Sequence, residues 1–178
     1  RYLEKMSKII LKYDGIIDEI IGDAILAVFG APNSHGDDPE RAIACAIEMQ
    51  NCLGILNREV VESGYPCLEM GIGINTGKVI VGNIGSEVRM KYGIVGEAVN
   101  RASRIESNSI GGQVLIGEST HRRVKSRIKA RSAQNIMMKG MKKPLVFYSV
   151  SAIETEDYDV SLKESMPLDT RLAIKLPF

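Results

Sequence analysis

The chain has 178 residues, of which 44% are hydrophobic and 25% are charged, and its formal net charge at pH 7 is +1. This size and composition are typical of one folded domain with a short appendage, and the balance of 23 basic and 22 acidic residues gives no electrostatic reason to expect nucleic acid or an anionic membrane as partner. No apolar run reaches the roughly 18 residues of a membrane span and no signal peptide opens the chain, which predicts a cytosolic protein.

The first half of the chain predicts a helix, a hairpin and a longer helix. Residues 1–13 place apolar side chains at helical spacing, so the chain enters in an amphipathic helix. Two apolar runs then flank Gly22-Asp23, a dipeptide typical of a hairpin turn. The segment 37–64 is the clearest helix, and Pro39 suits its first turn. Its apolar positions form one predicted buried stripe: Ala42, Ile43, Ala46, Met49, Leu53, Leu56 and Val60.

The second half predicts strands that alternate with helices. Residues 68–77 and 78–85 are typical of two strands joined by a tight turn at Thr76-Gly77. A helix begins in the segment 96–107. The other predicted elements are strands at 90–95, 113–117, 128–138 and 144–151 and a short helix at 119–125.

This order of elements predicts the fold class and the division of the chain. Strands in hairpins that alternate with crossover helices indicate an α/β chain built as an α+β sandwich, with helices on one face of a mainly antiparallel sheet. We assign residues 1–150 to this domain. Residues 151–178 are polar and acidic at first and lack periodicity, so we interpret them as a linker that ends in the possible start of a further domain.

Asp23 is a candidate metal ligand because it lies at the tip of the predicted hairpin. A carboxylate held there beside Gly22 suits a hard divalent cation in a site rich in oxygen ligands. Aspartate is also a good turn residue, and the dipeptide alone favours that simpler interpretation.

Three further polar residues are candidates for contacts with a phosphorylated ligand. Asn100 and Arg104 lie four residues apart on a predicted helix, so both project from one face. Arginine presents a fixed fork of donors to a phosphate whose charge rises in a transition state, and asparagine can orient a sugar hydroxyl. Lys139 lies in a lysine-rich segment between two predicted strands. Taken singly, each of these residues is better explained as solvated surface.

Four blocks of sequence in order change this interpretation, since together they resemble the catalytic domains of class III adenylyl and guanylyl cyclases. The blocks are residues 17–32, 71–85, 91–107 and 138–150. The resemblance implies a ferredoxin-like-derived class III cyclase fold and a head-to-tail homodimer with sites built from both chains. It also implies two Mg²⁺ or Mn²⁺ ions as cofactors and attack of the ribose 3′-hydroxyl on the α-phosphate of a purine nucleoside triphosphate.

The resemblance assigns roles to five positions of this chain. Asp23 matches a metal-binding aspartate, Asn100 matches the residue that orients the ribose, and Arg104 matches the arginine that stabilises the transition state. Lys139 matches the lysine that grips the triphosphate. Lys78 stands where some relatives place another basic residue that contacts phosphate.

Glu19 and Gly93 match the family's two base-reading positions, where adenylyl cyclases have Lys and then Asp or Thr. Guanine presents two donors, N1–H and the N2 amino group, and a carboxylate accepts from both. Adenine presents an acceptor at N1, and an unpaired buried polar group costs about 1–3 kcal/mol, which is about tenfold to a few hundredfold in affinity. Glu19 therefore favours GTP, whereas Gly93 reads nothing through a side chain and leaves two alternatives open: space for guanine O6 to meet a backbone N–H or a water, or loose specificity. The alternative for Glu19 is a surface strand residue paired with a lysine.

The resemblance also implies a first metal-binding aspartate, on a strand ahead of the first helix in a motif resembling F-x-D-I. No such motif occurs in this chain. We expect the natural protein to carry this segment upstream, with a sensor module, and we expect the 178 residues alone to be almost inactive. An ordinary rate of cyclic nucleotide synthesis by the isolated chain would contradict this expectation.

Two alternatives to a guanylyl cyclase stay open at this point. The first is an adenylyl cyclase that makes cyclic AMP. The second is a module of the same family that binds nucleotide and dimerises without turnover, although such a module has no need of Arg104. A cyclic-dinucleotide synthase is disfavoured because its G-G-[DE]-E-F hairpin does not occur in the chain.

Overall fold

The computed structural model describes residues 1–131, 134–137 and 144–163. Within these ranges the predicted order of elements is confirmed as far as the fourth helix. The helices are α1 (Tyr2–Lys12), α2 (Asp38–Glu62), α3 (Glu97–Glu106) and α4 (Glu118–Val124). The strands are β1 (Ile16–Ile21), β2 (Ala24–Val28), β3 (Ile72–Ile74), β4 (Ile80–Ser86), β5 (Arg89–Val95), β6 (Val114–Gly117), β7 (Ile128–Ala130), β8 (Gln134–Ile136), β9 (Leu145–Glu154) and β10 (Asp159–Ser161).

The strands of the described residues form three separate sheets. β1 and β2 form the predicted antiparallel hairpin, with its turn at Gly22-Asp23. The largest sheet has the order β10-β9-β6-β3, and both β7 and β8 also pair with β9. Its pairs are antiparallel except for β3 and β6, which run parallel. β4 and β5 form the third sheet.

The predicted hairpin between residues 68–77 and 78–85 is wrong, because β3 and β4 belong to different sheets. β3 pairs with β6, whereas β4 pairs along its whole length with β5. After β3, Asn75 donates a hydrogen bond from its side-chain amide to the Ala98 carbonyl (3.2 Å). The segment between the two strands therefore follows the first turn of α3.

The core places helices on both faces of the largest sheet, whereas the sequence predicted helices on one face. Val114 and Ile116 of β6 pack in one cluster with α1, α2 and Val124 of α4. Leu115, between them, points to the other face and packs with Ile105 of α3, as the alternation of side chains along a strand requires. The predicted stripe of α2 is buried at five of its seven positions: Ala42, Ile43, Ala46, Leu53 and Leu56.

The predicted start of the linker at residue 151 is too early, because the largest sheet continues past this residue. β9 runs to Glu154 and β10 folds back on it, with Asp159 opposite Glu154. Val160 packs against the main core, and the Asn51 side chain donates to the Ser161 carbonyl (2.9 Å). Residues 151–161 therefore belong to the folded domain. No helix in the described ranges has the length and apolarity that a membrane span requires.

Candidate active site

Asn100 and Arg104 lie one turn apart on the exposed side of α3, as the sequence predicted. The opposite side of the helix is anchored by Ala98, which is buried, and by Ile105, which is fully buried. No carboxylate of the described residues lies within ion-pair distance of Arg104. Its guanidinium is therefore presented to solvent by a helix whose inner face is fixed.

α3 lies unusually close to β3 and to the segment that follows it, because small residues line the contact. A Cβ atom at Gly73 would lie 2.3 Å from the backbone nitrogen of Glu106 and 2.7 Å from the Ala102 carbonyl oxygen. A Cβ at Gly77 would lie 2.7 Å from the Cβ of Ala98. Gly73 thus allows β3 to pack against the backbone near the end of α3, and Gly77 leaves room for the Ala98 side chain at the start of that helix.

A chain of polar side chains holds the first turn of α3 in place. Asn75 donates to the Ala98 carbonyl and accepts a hydrogen bond from the Ser119 hydroxyl (3.0 Å). Thr76 pairs with Thr120, a fully buried residue of α4, through their hydroxyl oxygens (3.0 Å). Because these bonds link β3, α3 and α4, the start of α3 is fixed from two sides.

Asp23 lies in the turn between β1 and β2, where the sequence placed it, and its side chain is exposed. Its carboxylate lies close enough to α1 to act on Tyr2: burial, and then the negative charge of Asp23, raise the pKa of the Tyr2 hydroxyl. No three His, Cys, Asp or Glu side chains of the described residues come together in a group that could hold a metal ion. Asp23 therefore belongs to no such group within the described residues.

Glu19 and Gly93 lie close together, although they belong to different sheets. Glu19 is on β1, and its carboxylate lies 3.0 Å from the ammonium nitrogen of Lys91, two residues before Gly93 on β5. The alternative interpretation of Glu19 was a surface residue paired with a lysine, and such a pair is present. A Cβ atom at Gly93 would lie 3.0 Å from a carboxylate oxygen of Asp18.

Of the two lysines predicted to contact phosphate, only Lys78 lies among the residues that the structure describes. Lys78 is exposed, and a Cβ atom at Gly96, the residue that precedes α3, would lie 3.0 Å from its carbonyl oxygen. It therefore lies next to the start of the helix that carries Asn100. Lys139 lies outside the described residues.

Lys91 and Asp18 lie beside the candidate base-reading residues, and sequence reasoning did not single them out. Alternation along β5 places Lys91 and Gly93 on one side of the strand, and this signal was available in the sequence. The approach of Asp18 to Gly93 was not available, because it depends on how two strands distant in sequence pack.

The comparisons with known proteins agree on one family. A profile of the adenylate and guanylate cyclase catalytic domain matches residues 2–152. The crystal structure of the guanylyl cyclase Cya2 is similar over 91% of this chain and 82% of its own, with 47% identity and a TM-score of 0.84. That of the adenylyl cyclase CyaB from P. aeruginosa is similar over 88% and 81%, with 38% identity and a TM-score of 0.81.

The curated relatives are much longer than this chain. Adenylate cyclase 1 of Rhizobium meliloti (strain 1021) is 30% identical over 154 residues, which cover 85% of this chain and 23% of that protein. An adenylate cyclase of Anabaena cylindrica is 39% identical over 127 residues, which cover 68% of this chain and 24% of that protein. The similar proteins thus include cyclases named for each of the two purine nucleotides.

Proposed function

The chain belongs to the family of class III adenylate and guanylate cyclase catalytic domains, and from this premise we propose that it converts GTP to 3′,5′-cyclic GMP and pyrophosphate. The observation that carries the choice of GTP is the Glu19 carboxylate on β1: it is paired with Lys91, as the surface alternative requires, but its side chain is 45% exposed and is open to a ligand that donates to it. A carboxylate accepts from both N1–H and the N2 amino group of guanine, and an ammonium donates to O6. The sequence identity also supports this choice, because it is 47% with the guanylyl cyclase Cya2 and 38% with the adenylyl cyclase CyaB.

The proposed reaction uses the exposed side of α3. Asn100 orients the ribose so that its 3′-oxygen faces the α-phosphate. The 3′-oxygen gives its proton to solvent water and forms a bond to phosphorus, and the bond from phosphorus to the oxygen bridging to the β-phosphate breaks, so that pyrophosphate leaves. The Arg104 guanidinium stabilises the charge that rises on the α-phosphate oxygens. Lys78 and Lys139 are proposed to hold the triphosphate.

Asp23 is proposed as a ligand for one of two divalent cations, Mg²⁺ or Mn²⁺. Such ions supply positive charge to a triphosphate and suit carboxylate oxygens. One isolated carboxylate does not fit a site for two ions by itself, so the described residues do not complete it. The steps of the reaction are therefore assigned to the side chains alone.

A head-to-tail homodimer is proposed as the active form. Large apolar side chains are exposed on β1, β4, β5 and the turn between β4 and β5: Ile20, Ile21, Ile80, Val88, Met90 and Tyr92. Exposed apolar side chains on neighbouring elements are typical of an interface. In addition, no ion pair among the described residues joins Arg104 to Glu19 or Asp23. A site shared between two chains is therefore part of this proposal.

Replacing Met90 with lysine is expected to shift the full-length protein toward monomer and to lower its cyclase activity at least tenfold. The reason is that a charge would replace an apolar side chain that is 61% exposed on β5. Analytical ultracentrifugation and turnover at several protein concentrations would measure this. Leu11→Lys is the matched control, because Leu11 is 60% exposed on α1. Equal effects of the two variants would count against an interface at β5.

The choice of purine is tested by Glu19→Lys in the full-length protein, assayed with GTP and with ATP in the presence of Mn²⁺. The ratio of kcat/KM for GTP to that for ATP is expected to fall by about tenfold to a few hundredfold, because the acceptor for N1–H and N2–H is replaced by a donor. Glu62→Lys makes the same charge change at the exposed end of α2 and should leave the ratio unchanged.

The same assay of the unmodified protein, with GTP and with ATP, also tests the proposed function. A preference for ATP would contradict the proposed substrate and leave the family intact. Nucleotide binding without product from either substrate would favour the non-catalytic module.

A further inference from the structure

We propose that Asp18 and Lys91 form a second base-reading pair, complementary to adenine, beside the guanine-reading pair of Lys91 and Glu19. Use of ATP by this domain would then depend on Asp18, and use of GTP on Glu19. The inference rests on the proposed function for the placement of the purine near Glu19. It goes beyond that proposal because it assigns a role to Asp18 and a shared role to Lys91.

Two neighbouring carboxylates face one lysine at this site. The Lys91 ammonium lies 3.0 Å from a Glu19 oxygen and 4.0 Å from an Asp18 oxygen. Consecutive residues of a regular strand point to opposite sides. Here the register of β1 against β2 shifts between Ile17 and Glu19, and such a bulge redirects side chains. The bulge explains why Asp18 and Glu19 both reach Lys91.

Gly93 leaves the space that Asp18 occupies. A Cβ atom at position 93 would lie 3.0 Å from one Asp18 oxygen and 3.6 Å from the other, which is too close for the nearer one without a shift. In this chain a carboxylate from β1 therefore lies where a side chain at position 93 would lie. Gly93 has no side chain that could contact a base, but the Asp18 carboxylate supplies a polar group at this second base-reading position.

The Asp18 carboxylate is short of hydrogen-bond donors. Its side chain is 10% exposed, and its only ion pair among the described residues is the 4.0 Å contact with Lys91, which is longer than a hydrogen bond. It borders a pocket of about 100 Å³ with mostly apolar walls, among them Val28, Pro32, Val81 and Ile94. A nearly buried carboxylate in such surroundings is stabilised by a ligand that donates to it.

The three charges match both purines through different pairs. Guanine presents an acceptor at O6 next to donors at N1 and N2, which suits Lys91 followed by Glu19. Adenine presents a donor at N6 next to an acceptor at N1, which suits Asp18 followed by Lys91. Because Lys91 lies closer to Glu19 than to Asp18, the guanine pair is already formed. The adenine pair requires the lysine to move toward Asp18.

The test is the effect of Asp18→Ala in the full-length protein on turnover of GTP, turnover of ATP and inhibition of GTP turnover by ATP. The inhibition constant for ATP is expected to rise by about tenfold to a hundredfold, since a hydrogen bond to a charged group is lost. The value of kcat/KM for ATP should fall by the same factor, so that the ratio of kcat/KM for GTP to that for ATP rises. Lys91→Met should weaken both nucleotides.

Three outcomes would overturn the inference: equal losses for both nucleotides in Asp18→Ala, no change for ATP, or no inhibition of the unmodified protein by ATP. Failure of the proposed function is distinguishable from these. If Glu19→Lys leaves the GTP values unchanged, GTP is not read by Glu19. A selective loss of ATP binding in Asp18→Ala would still support the role of Asp18.

Discussion

Replacing Arg104 with alanine is expected to lower kcat of the full-length protein by about 10²- to 10³-fold and to change KM for GTP by less than about threefold. A loss of this size is typical when one donor that faces charge developing in the transition state is removed. A fall in kcat with an unchanged KM means that the lost interaction forms in the transition state and not in the ground state. Steady-state kinetics with GTP over a range of concentrations measures both values.

Arg101→Ala is the matched control for this experiment. Arg101 lies on the same helix, but its guanidinium donates to the Glu97 carboxylate one turn earlier (2.8 Å). An exposed pair of this kind contributes little to stability, about 0.3–0.5 kcal/mol. Arg101→Ala should therefore keep kcat within about twofold. If both variants lose activity equally, the role of Arg104 is electrostatic at long range or structural.

Arg104→Lys separates charge from geometry in the same position. Lysine keeps the positive charge but replaces the planar fork of donors by a single ammonium. We expect this variant to recover only a small part of the lost kcat. Recovery to nearly the level of the unmodified protein would show that charge alone is needed there.

The parts of the fold that local sequence determines were predicted correctly. The hairpin at Gly22-Asp23 follows from turn chemistry, and α2 follows from a continuous apolar stripe. The placement of Asn100 and Arg104 on one side of α3 follows from their spacing and from the apolar residues around them. These features need no knowledge of what the segments pack against.

The parts that were missed depend on partners distant in the sequence. Residues 68–85 contain the turn signal Thr76-Gly77, and only the parallel pairing of Ile72 with Val114 reveals that β3 does not form a hairpin. Polarity after Ser151 suggested a linker, but the edge of β9 supplies hydrogen bonds that a polar strand can use as well as an apolar one. The contact between Asp18 and Gly93 arises from a bulge and from the packing of two hairpins.

The packing of α3 on β3 explains why Gly73, a residue with no proposed contact to the substrate, should matter for activity. Gly73→Ala would place a methyl group 2.3 Å from the Glu106 nitrogen, and a backbone atom cannot move unless the helix moves. We expect the free energy of unfolding to fall by about 1–3 kcal/mol, as for other overpacked sites. We also expect kcat to fall by up to about a hundredfold, the loss that a displacement of about 1 Å causes in a catalytic site. Urea denaturation and kinetics with GTP measure the two effects.

Gly54→Ala is the control for Gly73→Ala, because the same substitution at Gly54 is expected to raise the stability and to leave the activity unchanged. A Cβ at Gly54, inside α2, would meet no atom within 4 Å apart from its chain neighbours and the backbone of α2 itself. Alanine there should raise the free energy of unfolding by about 0.5–1 kcal/mol, since glycine is unfavourable inside a helix. Activity should not change, because α2 carries none of the proposed site residues. If Gly73→Ala behaves like Gly54→Ala, the close contact between β3 and α3 does not set the position of Asn100 and Arg104.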